Sequence, residues 1–238
     1  MENKNLSLFL VSPLLARIPS VLHGFGTKNF TLEDIGRVEF LKKFFPVDMK
    51  QNHSDIVHLI QQAPALPLEG DALITCQANF LLIIKTADCL PILIADPKKK
   101  VVAAVHCGWR GTASRLLARV IASFGSAFNS KPQDILVAFG PSIASSCYEV
   151  GEDVHAVFYQ AGFSEREGIF RVHPEKKGYF FLDLNLANRR QLLSLGVRPE
   201  NIEEIQICPH CHRDFISWRR DREKAGRLIN FIGLDSSG

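Results

Sequence analysis

This sequence lacks the raw material of a membrane span. None of its unbroken apolar runs is longer than residues 80–84, whereas a spanning helix needs roughly 20 consecutive apolar residues. It also lacks a surplus of one charge. Lys and Arg number 28 against 25 Asp and Glu, a net charge of +3, too small to mark a nucleic-acid or membrane-surface protein. Cysteine is sparse: six residues at irregular spacings in 238 do not form a disulfide scaffold. No positive segment precedes the first apolar stretch, because Glu2 and Lys4 cancel, and Ser7, Ser12 and Pro13 interrupt that stretch. An export signal has neither feature. These absences predict a cytoplasmic protein with no membrane or nucleic-acid partner, whose reduced thiols are free for metal or catalytic work.

What is present is enough apolar material for a core, with 46% hydrophobic and 22% charged residues. The length fits one domain or two, and no repeat or low-complexity tract divides the chain. Two stretches resemble linkers: 61–69, with two prolines, and the charged 163–177. Between them lie strand candidates at 71–75, 81–86, 91–96, 101–106 and 135–139, mostly continuous apolar runs that suit strands buried on both faces. The 3.6-residue period predicts a helix capped by Thr112 with Leu116, Leu117, Val120, Ile121 and Phe124 on one stripe. Further helices are expected over 151–161 and 183–195, each stopped by a glycine, and near 222–232. Clustered strands that outnumber helices indicate an α+β fold in a single domain over 1–238.

The segment 91–106 reads as a β-hairpin turning on Pro97 and three lysines. If Asp96 faces Val101, Pro91 lies opposite His106, and Cys89 reaches the same end of the hairpin. Neighbouring strands then bring a thiol and an imidazole together. A cysteine at a strand end is ordinarily a small buried hydrophobe. Here, however, Asp88 adjoins it, and Gly108, Arg110 and Gly111 after His106 form a corner suited to an anion. One more histidine would complete three protein ligands with an open fourth position, the pattern of catalytic zinc. The same pair can instead be a nucleophilic cysteine activated by histidine. His23, His53, His58, His155, His173, His210 and His212 are all candidates for the third ligand, and spacing does not choose among them.

A second group, Cys208-Pro-His210-Cys211-His212, has the C-x-x-C spacing of half a zinc knuckle, but the sequence offers no second pair to close it. Downstream, Trp218-Arg219-Arg220-Asp221-Arg222 is basic and aromatic. With acidic residues interspersed it reads as a salt-bridged surface or a contact for a substrate anion.

Seven motifs occur in order: Gln51-x-His53, Asp71-Ala-Leu-Ile-Thr75, Ala87-Asp88-Cys89-Leu-Pro91, Val105-His106-Cys-Gly-Trp-Arg-Gly111, Gly140-Pro-Ser-Ile143, Cys147-Tyr-Glu-Val150 and Ser217-Trp-Arg-Arg-Asp221. Together they resemble the laccase-domain family, also called the purine nucleoside phosphorylase or polyphenol oxidase family, which includes bacterial peptidoglycan editing factors. The resemblance spans roughly residues 51–234, and the segment 1–50 is shortened relative to the family. It implies metal ligation by His53, Cys89 and His106. It also implies a mixed-strand β-sandwich flanked by helices, like the cysteine-hydrolase toxins. The implied activities are phosphorolysis of adenosine, inosine and methylthioadenosine, and deamination of adenosine.

On that basis the expected catalytic and metal-binding residues are His53, Cys89 and His106, with zinc as the metal and copper as the alternative. Arg110 is the expected phosphate contact. Asp88 is expected to be either a general acid/base or a partner of a ligand histidine. The partners would be a nucleoside and phosphate. Two other activities compete: a cysteine hydrolase (Cys89, His106) editing peptidoglycan precursors, and a copper-dependent polyphenol oxidoreductase. Against the latter, the eight histidines form only one H-x-H pair, His210-x-His212.

Overall fold

The computed structural model describes residues 8–236; the part of the export reading that concerns residues 1–7 lies outside them. The strands of the first half are Phe9–Leu10 (β1), Val21–Gly26 (β2), Phe45–Val47 (β3), Val57–Leu59 (β4), Ala72–Thr75 (β5), Phe80–Thr86 (β6), Leu90–Asp96 (β7) and Val101–Cys107 (β8). Those of the second are Leu136–Phe139 (β9), Glu149–Gly151 (β10), Phe170–Val172 (β11), Tyr179–Leu182 (β12), Ile202–Glu204 (β13) and Leu228–Leu234 (β14). The helices are Leu32–Ile35 (α1), Trp109–Ala113 (α2), Leu116–Phe128 (α3), Glu152–Gln160 (α4), Leu184–Ser194 (α5) and Trp218–Asp221 (α6).

Among the described residues these strands form three sheets. One runs β1-β2-β14-β6-β3, another β13-β9-β7-β8-β5-β4, and a small third β10-β12-β11. Both large sheets are mixed, since β3 with β6, β4 with β5 and β9 with β13 are parallel pairs. The continuous apolar runs are explained by burial on both faces. Leu93, Val102 and Ala104 of the six-stranded sheet pack with Phe25, Leu82 and Ile232 of the five-stranded sheet. Their alternates Ile92, Ile94 and Val105 pack against Leu117, Val120 and Phe124 of α3. With a period of two, one strand feeds two cores, and each fully buried aliphatic side chain contributes roughly 1.5–3 kcal/mol.

The hairpin register is the expected one: Asp96 pairs with Val101 and Pro91 with His106. Helix α5 is capped by Asp183, whose carboxylate accepts from the Leu186 amide at 2.8 Å. Three expectations fail. Thr112 caps nothing; it lies inside α2, where its hydroxyl accepts from Asn188 Nδ2 at 2.9 Å. The chain breaks instead at Arg115 (φ +60°), whose guanidinium stacks 3.7 Å from the Phe163 ring centroid and donates to the Ala161 carbonyl. The helix expected over 222–232 is a short turn followed by β14, which pairs with both β2 and β6. There Ile229 and Phe231 pack on one face of the sheet and Ile232 and Leu234 on the other, so sheet-centre burial overrides the helical period. The charged segment 163–177 also carries β11.

Candidate metal centre and its pocket

Three elements deliver the cluster. Cys89 ends the turn that enters β7, and His106 lies near the end of β8 across the hairpin. His53 comes from the loop before β4, which Gln51 clamps to β6 by a reciprocal pair: its amide donates to the Lys85 carbonyl and accepts from the Lys85 N–H, each at 2.7 Å. The ligand atoms of His53, Cys89 and His106 all lie within 4.8 Å of one another. His53 Nε2 is 3.9 Å from Cys89 Sγ, and the two imidazoles meet edge to face with centroids 4.9 Å apart.

Gly108 makes room for this approach. A Cβ there would sit 2.9 Å from His53 Cδ2 and 3.1 Å from Cys89 Sγ. The turn residues are correspondingly strained, with φ of +61° at His53 and +80° at Asp88.

Asp71, fully buried at the start of β5, organises the centre. Its carboxylate is 2.7 Å from His106 Nδ1 and accepts from the amides of His53 and Ser54 and from the Ser54 hydroxyl. A proton on Nδ1 leaves Nε2 of His106 as the ligand nitrogen, the arrangement typical of metal-binding histidine. Burial opposes ionisation of Asp71, but the His106 and Ser54 hydrogen bonds hold its carboxyl below the usual range. Burial likewise pushes the Cys89 thiol up, yet His106 and His53 bring it down to about 6. Burial depresses His106, and the facing Cys89 and Asp71 reverse that and raise it to about 9. Without a metal the pair is thus a thiolate beside an imidazolium; a bound cation would take the proton's place. Cys107, next in the strand, is fully buried and its thiol is pushed far upward by burial.

The other histidines are engaged elsewhere. His23 accepts from the Ser12 amide, and His58 bonds the Glu69 carbonyl. His155 stacks on Phe180, and His173 pairs with Glu149. His210 and His212 lie in the 208–212 turn, outside this cluster.

Asp88 orients neither histidine of the cluster; Asp71 orients His106. The Asp88 Oδ2 accepts from Ser217 Oγ and the Arg219 amide, while its Oδ1 is buried without a hydrogen-bond partner. Two adjoining cavities of about 500 and 280 Å³ share His53, Cys89 and Trp218 as walls. The smaller is walled also by Trp109, Tyr148 and Arg222. Burial first of all, with Cys89 and Asp88 nearby, raises the Tyr148 hydroxyl well above its usual range, so it stays a donor.

Arg110 lies elsewhere. It is exposed on α2, stacked 4.3 Å from the Trp109 ring, and lines neither cavity. The cationic wall comes from Lys50, Lys85, Arg219, Arg222 and Arg227. Sequence spacing gives no sign of Asp71 or Tyr148 as site residues, although both lie in the quoted motifs; Arg222 belongs to the basic segment 218–222, read from sequence as a salt-bridged surface or an anion contact.

The profile of the family described as "Multi-copper polyphenol oxidoreductase laccase" matches residues 38–235. A purine nucleoside phosphorylase from Clostridium acetobutylicum is 37% identical over 208 residues, 85% of this chain and 84% of that protein. One from Deinococcus radiodurans is 40% identical over 181 residues, 75% of this chain and 66% of the relative. A protein named Adenosine deaminase RL5, from an unknown prokaryotic organism, is 38% identical over 167 residues, covering 69% and 63%. The chain spans 60% of the length of a Bacteroides thetaiotaomicron relative, also named purine nucleoside phosphorylase. Among solved structures, YlmD from Geobacillus stearothermophilus superposes with a TM-score of 0.84 at 27% identity, over 96% of this chain and 99% of that one. With this match over most of its length, the chain belongs to the multi-copper polyphenol oxidoreductase laccase family.

Proposed function

We propose that the chain is one catalytic unit over 1–238. In this reading it is an enzyme acting on purine nucleosides at a zinc site of His53, Cys89 and His106, by phosphorolysis of adenosine, inosine and methylthioadenosine and by deamination of adenosine. The names of its relatives support the reaction class. The observation that carries the site is the set of three converging ligand atoms, one of them oriented by buried Asp71, opening into a cavity with aromatic and cationic walls.

The donor set fits the metal. One thiolate and two imidazoles suit zinc and also copper, and the pocket side of the cluster leaves a fourth position. When bound, such an ion supplies Lewis acidity at the edge of the cavity. The chain does the rest. Trp109, Tyr148 and Trp218 offer faces for a planar base. Arg222 has no side-chain partner among the described residues and can meet phosphate.

In phosphorolysis a phosphate oxygen bonds to C1′ as the glycosidic bond breaks, and the departing base takes the electron pair and then a proton. In deamination a water oxygen bonds to C6 and the amino group leaves as ammonia with a proton. Asp88, whose Oδ1 has no partner, is the carboxyl group nearest in sequence to Cys89 and the candidate to carry that proton. Arg110, stacked on Trp109 and lining neither cavity, is the weaker phosphate candidate.

Kinship with the cysteine-hydrolase toxins and a cytoplasmic location go with this reading, the latter because the ligand thiol must stay reduced. A second reading, a metal-free cysteine hydrolase, draws on the Cys89 thiol brought down to about 6. Zinc-loaded protein incubated with adenosine and phosphate, its products separated chromatographically, decides between them. Adenine, ribose 1-phosphate and inosine are expected. Absence of all three, with a thiol-dependent amidase activity in metal-free protein, favours the second reading.

A further inference from the structure

The C-x-x-C of the 208–212 turn, half a knuckle by sequence, has a third thiol facing it. Cys147, which ends the 3-10 turn before β10, lies 3.4 Å from Cys211 Sγ, and the sulfurs of Cys147, Cys208 and Cys211 are all within 4.8 Å of one another. Three thiols in an apolar core could simply be packing atoms. Only Cys208 is buried here; Cys211 is exposed and Cys147 half-buried, so the cluster opens to the surface. Neutral thiols are weak donors and acceptors and gain little from mutual contact.

The frame around them is built before any ion arrives. The amides of Cys211 and His212 both donate to the Cys208 carbonyl, closing the knuckle turn. Arg220 staples that turn by donating to the Pro209 and His210 carbonyls at 2.6 and 3.2 Å and to the Phe215 carbonyl. The Ala144 amide donates to Cys208 Sγ at 3.3 Å and fixes where that sulfur sits. A tetrahedral zinc site with bonds of about 2.3 Å places its sulfurs roughly 3.8 Å apart, so these thiols need move by no more than about an ångström.

We infer that Cys147, Cys208 and Cys211 form a second metal site for one thiophilic ion, zinc in the first instance, separate from the His53/Cys89/His106 centre. The turn supplies two imidazoles for the fourth position: His210, whose Nδ1 is buried without a hydrogen-bond partner, and His212, on the wall of the cavity shared by Cys208 and Cys211. Three soft sulfur donors select zinc or Cu(I) over magnesium or calcium. The ion ties the 143–148 loop, which carries Ile143 and Tyr148 of the substrate cavity, to the 208–212 turn. It is a brace behind the pocket and does not depend on the activity proposed above.

The test is metal stoichiometry on the full chain purified under argon and loaded with zinc. Two ions per chain are expected, falling to one in Cys208→Ser and to one, from the other site, in Cys89→Ala. Cadmium NMR of the wild-type protein, which needs no variant to fold, should show two resonances, the more deshielded from the three-sulfur set. A single resonance overturns the site, as does full zinc content in Cys208→Ser or a Cys147–Cys211 disulfide found by peptide mapping. Loss of metal in Cys89→Ala with the sulfur-rich resonance intact separates the two sites, whatever the enzyme's substrate.

Discussion

The chain gathers soft donors in two places, and the two differ in what surrounds them. At His53/Cys89/His106 two donors sit at the end of a buried hairpin, the third comes from the loop that Gln51 clamps to β6, and fully buried Asp71 fixes one imidazole. At Cys147/Cys208/Cys211 the donors sit on loops, held by backbone groups and by the guanidiniums of Arg219 and Arg220. Their thiols diverge accordingly. Facing imidazoles bring Cys89 down to about 6, whereas hydrogen bonds with Cys147 and Cys208 push the Cys211 thiol up to about 12. Cationic neighbours make a thiol reactive and thiol neighbours make it inert, so exposure by itself is a poor guide to either.

The sharpest way to break this contrast is to remove one donor. Cys89→Ala should abolish nucleoside turnover and metal retention at the first centre, as read by activity and metal analysis together. Turnover surviving in metal-free Cys89→Ala protein would show that the hairpin end is not the reacting site. The next contrast is one of pH. In metal-free protein the alkylation rate of Cys89 should rise as the thiolate forms, with its midpoint near 6. Cys211, although exposed, should react only in strongly alkaline solution. Peptide mapping after iodoacetamide at pH 7 checks this, and equal labelling of the two would refute it. Third, Asp71→Asn removes the carboxylate behind His106. Zinc affinity at the first centre should fall about 10- to 100-fold, the usual cost of losing such a partner, with no change at the three-sulfur cluster. Competition against a chromophoric chelator measures it.

How far the sequence reveals these sites follows from how each is assembled. The hairpin pairing of Pro91 with His106 is local, so counting residues along the chain is enough to bring Cys89 and His106 together. His53 is different: Gln51 docks its loop onto β6, at Lys85, 34 residues away in sequence. No spacing rule reports that contact, and only the resemblance to a family singles out His53 among seven histidines. Asp71 looks like an ordinary strand start until β5 is paired with β8. Cys147 faces Cys211 across 64 residues, which is why the C-x-x-C reads as half a site. The late strand β14 is missed for a related reason. Residues 228–234 lie between β2 and β6, so their neighbours are set by the sheet and not by any local period.

The smallest expected effect concerns the phosphate contact, for which the sequence singles out Arg110 and also offers the basic segment 218–222, and for which the function proposed above favours Arg222. Arg110 lies four residues after His106 on α2, but it is exposed, its guanidinium stacks on Trp109, and it lines neither cavity. Arg222 lines the smaller cavity with Cys89 and Tyr148, just past the end of α6 where its backbone has a positive φ (+51°). Arg219 lines the same cavity but already donates to the Cys147 and Glu149 carbonyls, so its loss would disturb the loop as well. Arg222→Ala should therefore raise the phosphate KM for phosphorolysis by about tenfold, the low end of the range for a charged hydrogen bond because the residue is exposed. Deamination, which uses water, should keep its rate, and the metal content of both sites should stay constant. Arg110→Ala should change the phosphate KM by less than Arg222→Ala does. If Arg110→Ala gives the larger effect, phosphate is held beside Trp109, and the anion site belongs to α2 and not to the end of α6.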